Sequence, residues 1–174
     1  MKKLSNYEKV LNMFFDNPSG TFHVREVARI TGLNPNTVLN IVEGLVKEKL
    51  VKRDKKKHIV ELSANVDDKF RQIKRIANLN KIYESGVVGF LSEKFNAEAI
   101  VIMGSYSFGE DIQRSDVDIL VITKEDYKSL DLSKFEKALK RKIHLVTVYY
   151  DKISDEFFNN SINGIVVYGY IRKK

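Results

Sequence analysis

The sequence contains no cysteine. That excludes a disulfide framework, thiolate metal ligands and a cysteine nucleophile, and it suits a cytoplasmic chain. No apolar run approaches the roughly 20 residues needed to span a bilayer, so a membrane is not expected as a partner. The opening MKKLSNYEKVLNMFF sets charges between its apolar positions, unlike the unbroken core of a signal peptide. No Pro/Gly-rich linker, no internal repeat and no low-complexity tract interrupts the chain, apart from one short basic run. With 43% hydrophobic and 30% charged residues among 174, the chain reads as folded, either one ordinary domain or two small ones. The net charge of +7 points to a polyanionic partner. Residues 1–65 hold 12 Lys/Arg against 7 Asp/Glu and residues 66–174 hold 18 against 16, so the excess lies at the front.

Residues 4–17 place apolar side chains at Leu4, Tyr7, Val10, Leu11, Phe14 and Phe15, a helical spacing that stops at Asn17-Pro18-Ser19-Gly20. A short extended segment at 21–24 precedes a helix over 25–31, ended by Gly32. Asn36 then reads as the N-cap of a helix reaching Lys49. Residues 50–53 and 58–63 read as strands joined by the polar tip Asp54-Lys55-Lys56-Lys57. A connecting helix is expected at 66–79, with Val66, Phe70, Ile73 and Ala77 on one stripe, and the pattern stays helical over 80–95 with a break near Gly86. Beyond it the pattern alternates: strand 99–103, polar loop, strand 117–123, helix 132–142, strand 143–150, then a final helix and tail.

The chemistry concentrates between the two apolar strands. Gly104-Ser105 follows Ile100-Val101-Ile102, and Asp116-Val117-Asp118 leads into Ile119-Leu120-Val121-Ile122. Along a regular strand Asp116 and Asp118 would face one side, and two carboxylates that close favour a cation between them. Mg²⁺ takes carboxylate and phosphate oxygens together, which suits an ion that also grips a triphosphate. Gly104 would let the backbone approach a phosphate, and Ser105 offers a hydroxyl and an N–H. A P-loop is excluded, because Glu110-Asp111 stand where Lys and Ser/Thr are required and would repel phosphate.

The array from Gly104-Ser105-Tyr106-Ser107-Phe108-Gly109 to Ser115-Asp116-Val117-Asp118-Ile119-Leu120 resembles the signature of polymerase-beta-like nucleotidyltransferases, nearest the small prokaryotic minimal nucleotidyltransferases. The resemblance covers about residues 80–170, including Asn163-Gly164-Ile165-Val166-Val167-Tyr168-Gly169. It implies transfer of a nucleoside monophosphate from an NTP, with ATP expected, assisted by Mg²⁺ or Mn²⁺. Asp116 and Asp118 would be metal ligands, and Gly104 and Ser105 would contact the triphosphate. One position departs from the family. Its third carboxylate comes from a later strand, where this chain reads Lys142-Ile143-His144-Leu145-Val146. His144 could serve as base or ligand, or could mark a domain that binds nucleotide without chemistry. Arg141-Lys142 could reach a phosphate, but cations closing a helix also suit its dipole.

In the front half, helix, short strand, helix, turn, helix and basic hairpin resemble a winged helix-turn-helix over residues 5–65. The resemblance implies burial of Val27, Ile30, Val38, Val42 and Leu45. Asn36, Thr37 and Asn40, with Asn34, would face base edges, and Lys52, Arg53, Lys55, Lys56 and Lys57 would grip phosphates of duplex DNA. Such folds also serve as protein-interaction modules. The expected whole is an α+β chain with a winged helix-turn-helix at 1–65, a connecting helix at 66–79 and a nucleotidyltransferase-like domain at 80–174, its mixed sheet flanked by helices. The acceptor hydroxyl expected from the resemblance is a protein tyrosine, such as one on a HEPN-type partner, and a homodimer is compatible with it. The alternative is a transcription regulator whose degenerate transferase domain senses a nucleotide.

Overall fold

The computed structural model describes residues 4–56, 59–125, 130–152, 158–159 and 163–172, leaving aside the Lys56 side chain. The chain divides into two compact units, Met1–Gln72 and Ile73–Lys174.

The first unit begins with α1 (Asn6–Asp16), started by a reciprocal cap: Glu8 N–H donates to Ser5 Oγ at 3.2 Å and Ser5 N–H to Glu8 Oε2 at 2.7 Å. Strand β1 (Thr21–Phe22), α2 (Val24–Thr31), α3 (Pro35–Lys47), β2 (Val51–Lys56) and β3 (Ile59–Ala64) follow, the strands forming an antiparallel sheet ordered β1-β3-β2. The residue capping α3 is Asn34, not Asn36. Its side chain accepts from Asn36 N–H at 2.9 Å, and Pro35 takes the first helical position, where its missing N–H costs nothing. Asp54, Lys55 and Lys56 belong to β2 rather than to a tip, since Lys56 pairs with Ile59; Lys57 and His58 lie outside the described residues. Val27, Val38, Val42 and Leu45 are buried, but Ile30 is 53% exposed. The core closes with Phe14 edge-on to Phe22, ring centres 5.7 Å apart, and Phe15 on Phe70 at 5.0 Å.

Helix α4 (Asp68–Ser85) gives its first turn to this unit and the rest to the next. Gly86, at φ +77°, ends it and starts α5 (Val87–Lys94). The second unit continues with β4 (Ala99–Met103), α6 (Gly104–Phe108), β5 (Val117–Ile122), α7 (Ser133–Leu139), β6 (Ile143–Val148), a 3₁₀ turn at Tyr150–Lys152 and β7 (Ile165–Gly169). The mixed sheet is ordered β6-β5-β4-β7: β4 runs antiparallel to β5 and β7, while β5 and β6 are parallel, as the α7 crossover permits. The expected tail is corrected to a strand over Ile165–Gly169, which completes the sheet edge, while most of the segment expected as the final helix lies outside the described residues. Helix α7 is shorter than the expected 132–142, ending where Lys140 adopts φ +55°.

Alternation along β4 fills both faces of this sheet. Ile100 and Ile102 pack with Ile82, Val87, Leu91 and Phe135, whereas Ala99 and Val101 pack with Leu120, Val146 and Val148. The buried line of α4 is Phe70, Lys74, Asn78 and Ile82, not the stripe through Val66, which is 45% exposed.

Candidate functional site

Strand β4 ends at Met103, whose antiparallel partner on β5 is Asp118. The chain turns there through Gly104 at φ +64°, a conformation that disfavours any residue with a Cβ. A Cβ built on Gly104 would lie 2.5 Å from Asp118 Oδ2, so the absent side chain is what leaves that carboxylate its place. The other oxygen is also engaged. Parallel pairing sets Asp118 beside His144 of β6, and His144 Nδ1 lies 3.0 Å from Asp118 Oδ1. A carboxylate offers only acceptors, so Nδ1–H donates and Nε2 of a neutral ring is left as an acceptor. The imidazole is 65% exposed and the carboxylate 34%.

Asp116 stands one residue before β5 and is exposed, so strand alternation does not set its direction. Its neighbours are anchored: Val117 N–H donates to Lys142 O at 2.8 Å, Ile112 N–H to Ser115 Oγ at 2.9 Å and Ser115 N–H to Ile112 O at 3.0 Å. Ser105, half-buried on the first turn of α6, accepts from Glu110 N–H through its carbonyl at 2.9 Å. Gly104, Asp118 and His144 thus come together, with Ser105 adjacent in the chain. Among the described residues Asp116 makes no hydrogen bond or ion pair, and no three His, Cys, Asp or Glu side chains gather as a metal-binding group.

One buried cluster beside the site escaped the sequence. Asp111, read only as an obstacle to a P-loop, is buried against Lys74, Asn78 and Arg141. The available signal was the i, i+4, i+8, i+12 line of Phe70, Lys74, Asn78 and Ile82, in which two polar residues occupy apolar spacing. Lys142 pairs with Glu136 at 3.0 Å, where the Ile143 N–H and then Lys142 hold that carboxyl below the usual range.

Residues 84–167 match the model of the nucleotidyltransferase domain family. The matched span runs from the end of α4 into β7 and takes in Gly104, Ser105, Asp116, Asp118 and His144. The match supports nucleotidyl transfer as the reaction class of this domain. No curated protein matches the chain. Among the described residues no helix is long and apolar enough to cross a membrane.

In the first unit Asn36 and Asn40 are exposed on α3 with Thr37 half-buried beside them, and Lys52, Arg53 and Lys55 are exposed on β2. The Lys56 side chain and Lys57 lie outside the described residues. Arg25 and Arg29, which the sequence did not single out, are exposed on α2.

Proposed function

We propose that the second unit transfers a nucleoside monophosphate from an NTP, ATP first among them, to an acceptor hydroxyl. The observation that carries the proposal is the seating of Asp118, one oxygen against the glycine at 104 and the other on His144. Two carboxylates at one strand end fit Mg²⁺ or Mn²⁺, which takes one or two protein carboxylates and completes its shell with phosphate oxygens and water. Bound there by Asp116 and Asp118, the ion would neutralise charge on the triphosphate. Gly104 admits the phosphate chain and Ser105 donates to it. The acceptor oxygen attacks the α-phosphorus, its proton passes to Nε2 of His144, and the bond to pyrophosphate breaks as pyrophosphate leaves. Asp118 holds the ring so that Nε2 is free for this. A tyrosine on a HEPN-type partner is our first choice of acceptor, a homodimer is compatible with the site, and a cysteine-free chain suits the cytoplasm.

The first unit, in this proposal, is a winged helix-turn-helix that docks on duplex DNA. Its support is the helix order, the exposed Asn36 and Asn40, the cations on β2 and the local charge excess. A second reading is favoured by His144 standing where a third carboxylate would serve: a regulator whose second unit senses a nucleotide. Incubation with α-labelled ATP and cell extract separates them. Label transfer with pyrophosphate release marks the transferase; nucleotide-dependent DNA affinity without release marks the sensor.

A further inference from the structure

Between Gly104-Ser105 and Asp116 the chain passes through Asp111, which is 1% exposed. Lys74, equally buried, places its Nζ 3.1 Å from Asp111 Oδ1 and donates to the Asp111 carbonyl as well. Asn78 Nδ2 donates to Asp111 Oδ1 at 2.7 Å and to Tyr106 O at 3.0 Å. One amide thereby ties α6, which begins at Gly104-Ser105, to the loop that delivers Asp116. Arg141 approaches the other oxygen, Nη2 to Oδ2 at 3.7 Å, from the link into β6. The next residue, Lys142, receives the Val117 N–H, so the same link also sets the start of β5.

This is an expensive way to stabilise a fold. Two cations face one carboxylate in the interior, the Arg141 side chain is 8% exposed, and its Nε is buried with no hydrogen-bond partner. Apolar side chains of similar volume would serve stability as well, since desolvating charge offsets the pair's attraction. What they would not supply is a single directed arrangement of three backbone segments.

We infer that Asp111, with Lys74, Asn78 and Arg141, is a positioning set for the nucleotide site, an inference that rests on the site proposed above. Held at both carboxylate oxygens, Asp111 gives the 110–116 loop one path, and so keeps Ser105, Asp116 and Asp118 in one relation. None of the four touches the nucleotide.

The test is calorimetric titration of MgATP into the full chain, with circular dichroism of each variant. Asp111→Asn keeps the shape but loses the charge, and Arg141→Met removes the longer contact together with the Arg141 Nη1 bond to the neighbouring Lys140 carbonyl. Both should weaken MgATP about tenfold or more at unchanged stoichiometry, because losing a partner that orients metal-ligating side chains typically costs about 10–100-fold. Arg141→Lys, which keeps the charge, should bind closer to the parent than Arg141→Met. A merely stabilising role predicts lower melting temperatures with parental affinity in the folded protein, and that result would overturn the inference. If Asp111→Asn does not fold, the comparison of Arg141→Met with Arg141→Lys decides. A parent that binds no MgATP overturns the site reading and this inference with it; a binding parent with unaffected variants overturns the inference alone.

Discussion

Gly104→Ala separates the backbone role of this glycine from its role beside the carboxylate. At φ +64° an alanine costs about 1–2 kcal/mol from the left-handed conformation alone. Its Cβ would also stand 2.5 Å from Asp118 Oδ2, and ordinary contact begins near 3.4 Å, so the oxygen must retreat by about 1 Å. Asp118 is partly open to solvent and short, so the carboxyl can rotate, at the expense of its bond to His144. That bond is worth about 0.5–1.5 kcal/mol at most, because both groups are hydrated. The expected loss of stability is about 1.5–3.5 kcal/mol, readable as a denaturant midpoint. Pyrophosphate release should fall much further, about 100-fold, since the shifted atom belongs to the site itself. Gly86→Ala is the matched control: its φ of +77° carries the same conformational cost, yet a Cβ there meets nothing within 4 Å. It should lose about 1–2 kcal/mol of stability with parental activity. Parental turnover in Gly104→Ala, or an equal loss in Gly86→Ala, would refute the reasoning.

The other predictions follow from single contacts. Asp116→Asn should markedly weaken Mg²⁺-assisted ATP binding while the fold survives, and Ser105→Ala should cost about 0.5–1.5 kcal/mol, or 1.5–3 if charge-assisted; calorimetry with and without Mg²⁺ reads both. His144→Asp supplies the third carboxylate of the resembled family and should raise Mg²⁺ affinity, while His144→Ala removes the imidazole base and should lower turnover; unchanged kinetics and affinity would remove this position from the chemistry. If about four cations of the first unit neutralise phosphates, log K for duplex DNA should fall with log salt at a slope near −3.6, flattened by about one unit in Lys52→Ala. Fluorescence anisotropy measures the slope, and no binding at low salt would move this unit to protein interaction. Burial, then the Glu48 carboxylate 2.8 Å away, pushes the Tyr7 phenol up to about 12. A raised folded-state value stabilises fully below the ordinary value near 10 and loses that contribution between about pH 10 and 12. Tyr7→Phe should therefore show a smaller alkaline loss of stability than the parent over that window.

Local patterns in the sequence reached far into the second unit. The Ile100-Val101-Ile102 and Ile119-Leu120-Val121-Ile122 runs are strands because β-branched residues filling both faces suit a buried sheet, and Gly104 with Asp118 at their facing ends marks the site. The break at Gly86 rests on equally local chemistry. Pairing across long separations was not legible. Residues 165–169 become a strand only because β4, at residues 99–103, offers an open edge far earlier in the chain. Ile30 fits the apolar spacing of α2 yet faces solvent, since only the packed neighbours decide which side of a short helix is covered. Asp118 and His144 meet through a parallel register, and Asp111 is buried because Lys74 and Arg141, 37 and 30 residues away, arrive at its two oxygens. The residue types by themselves determined which chemistry is present; the tertiary structure decided which charges share low-dielectric space, and so which of them act together.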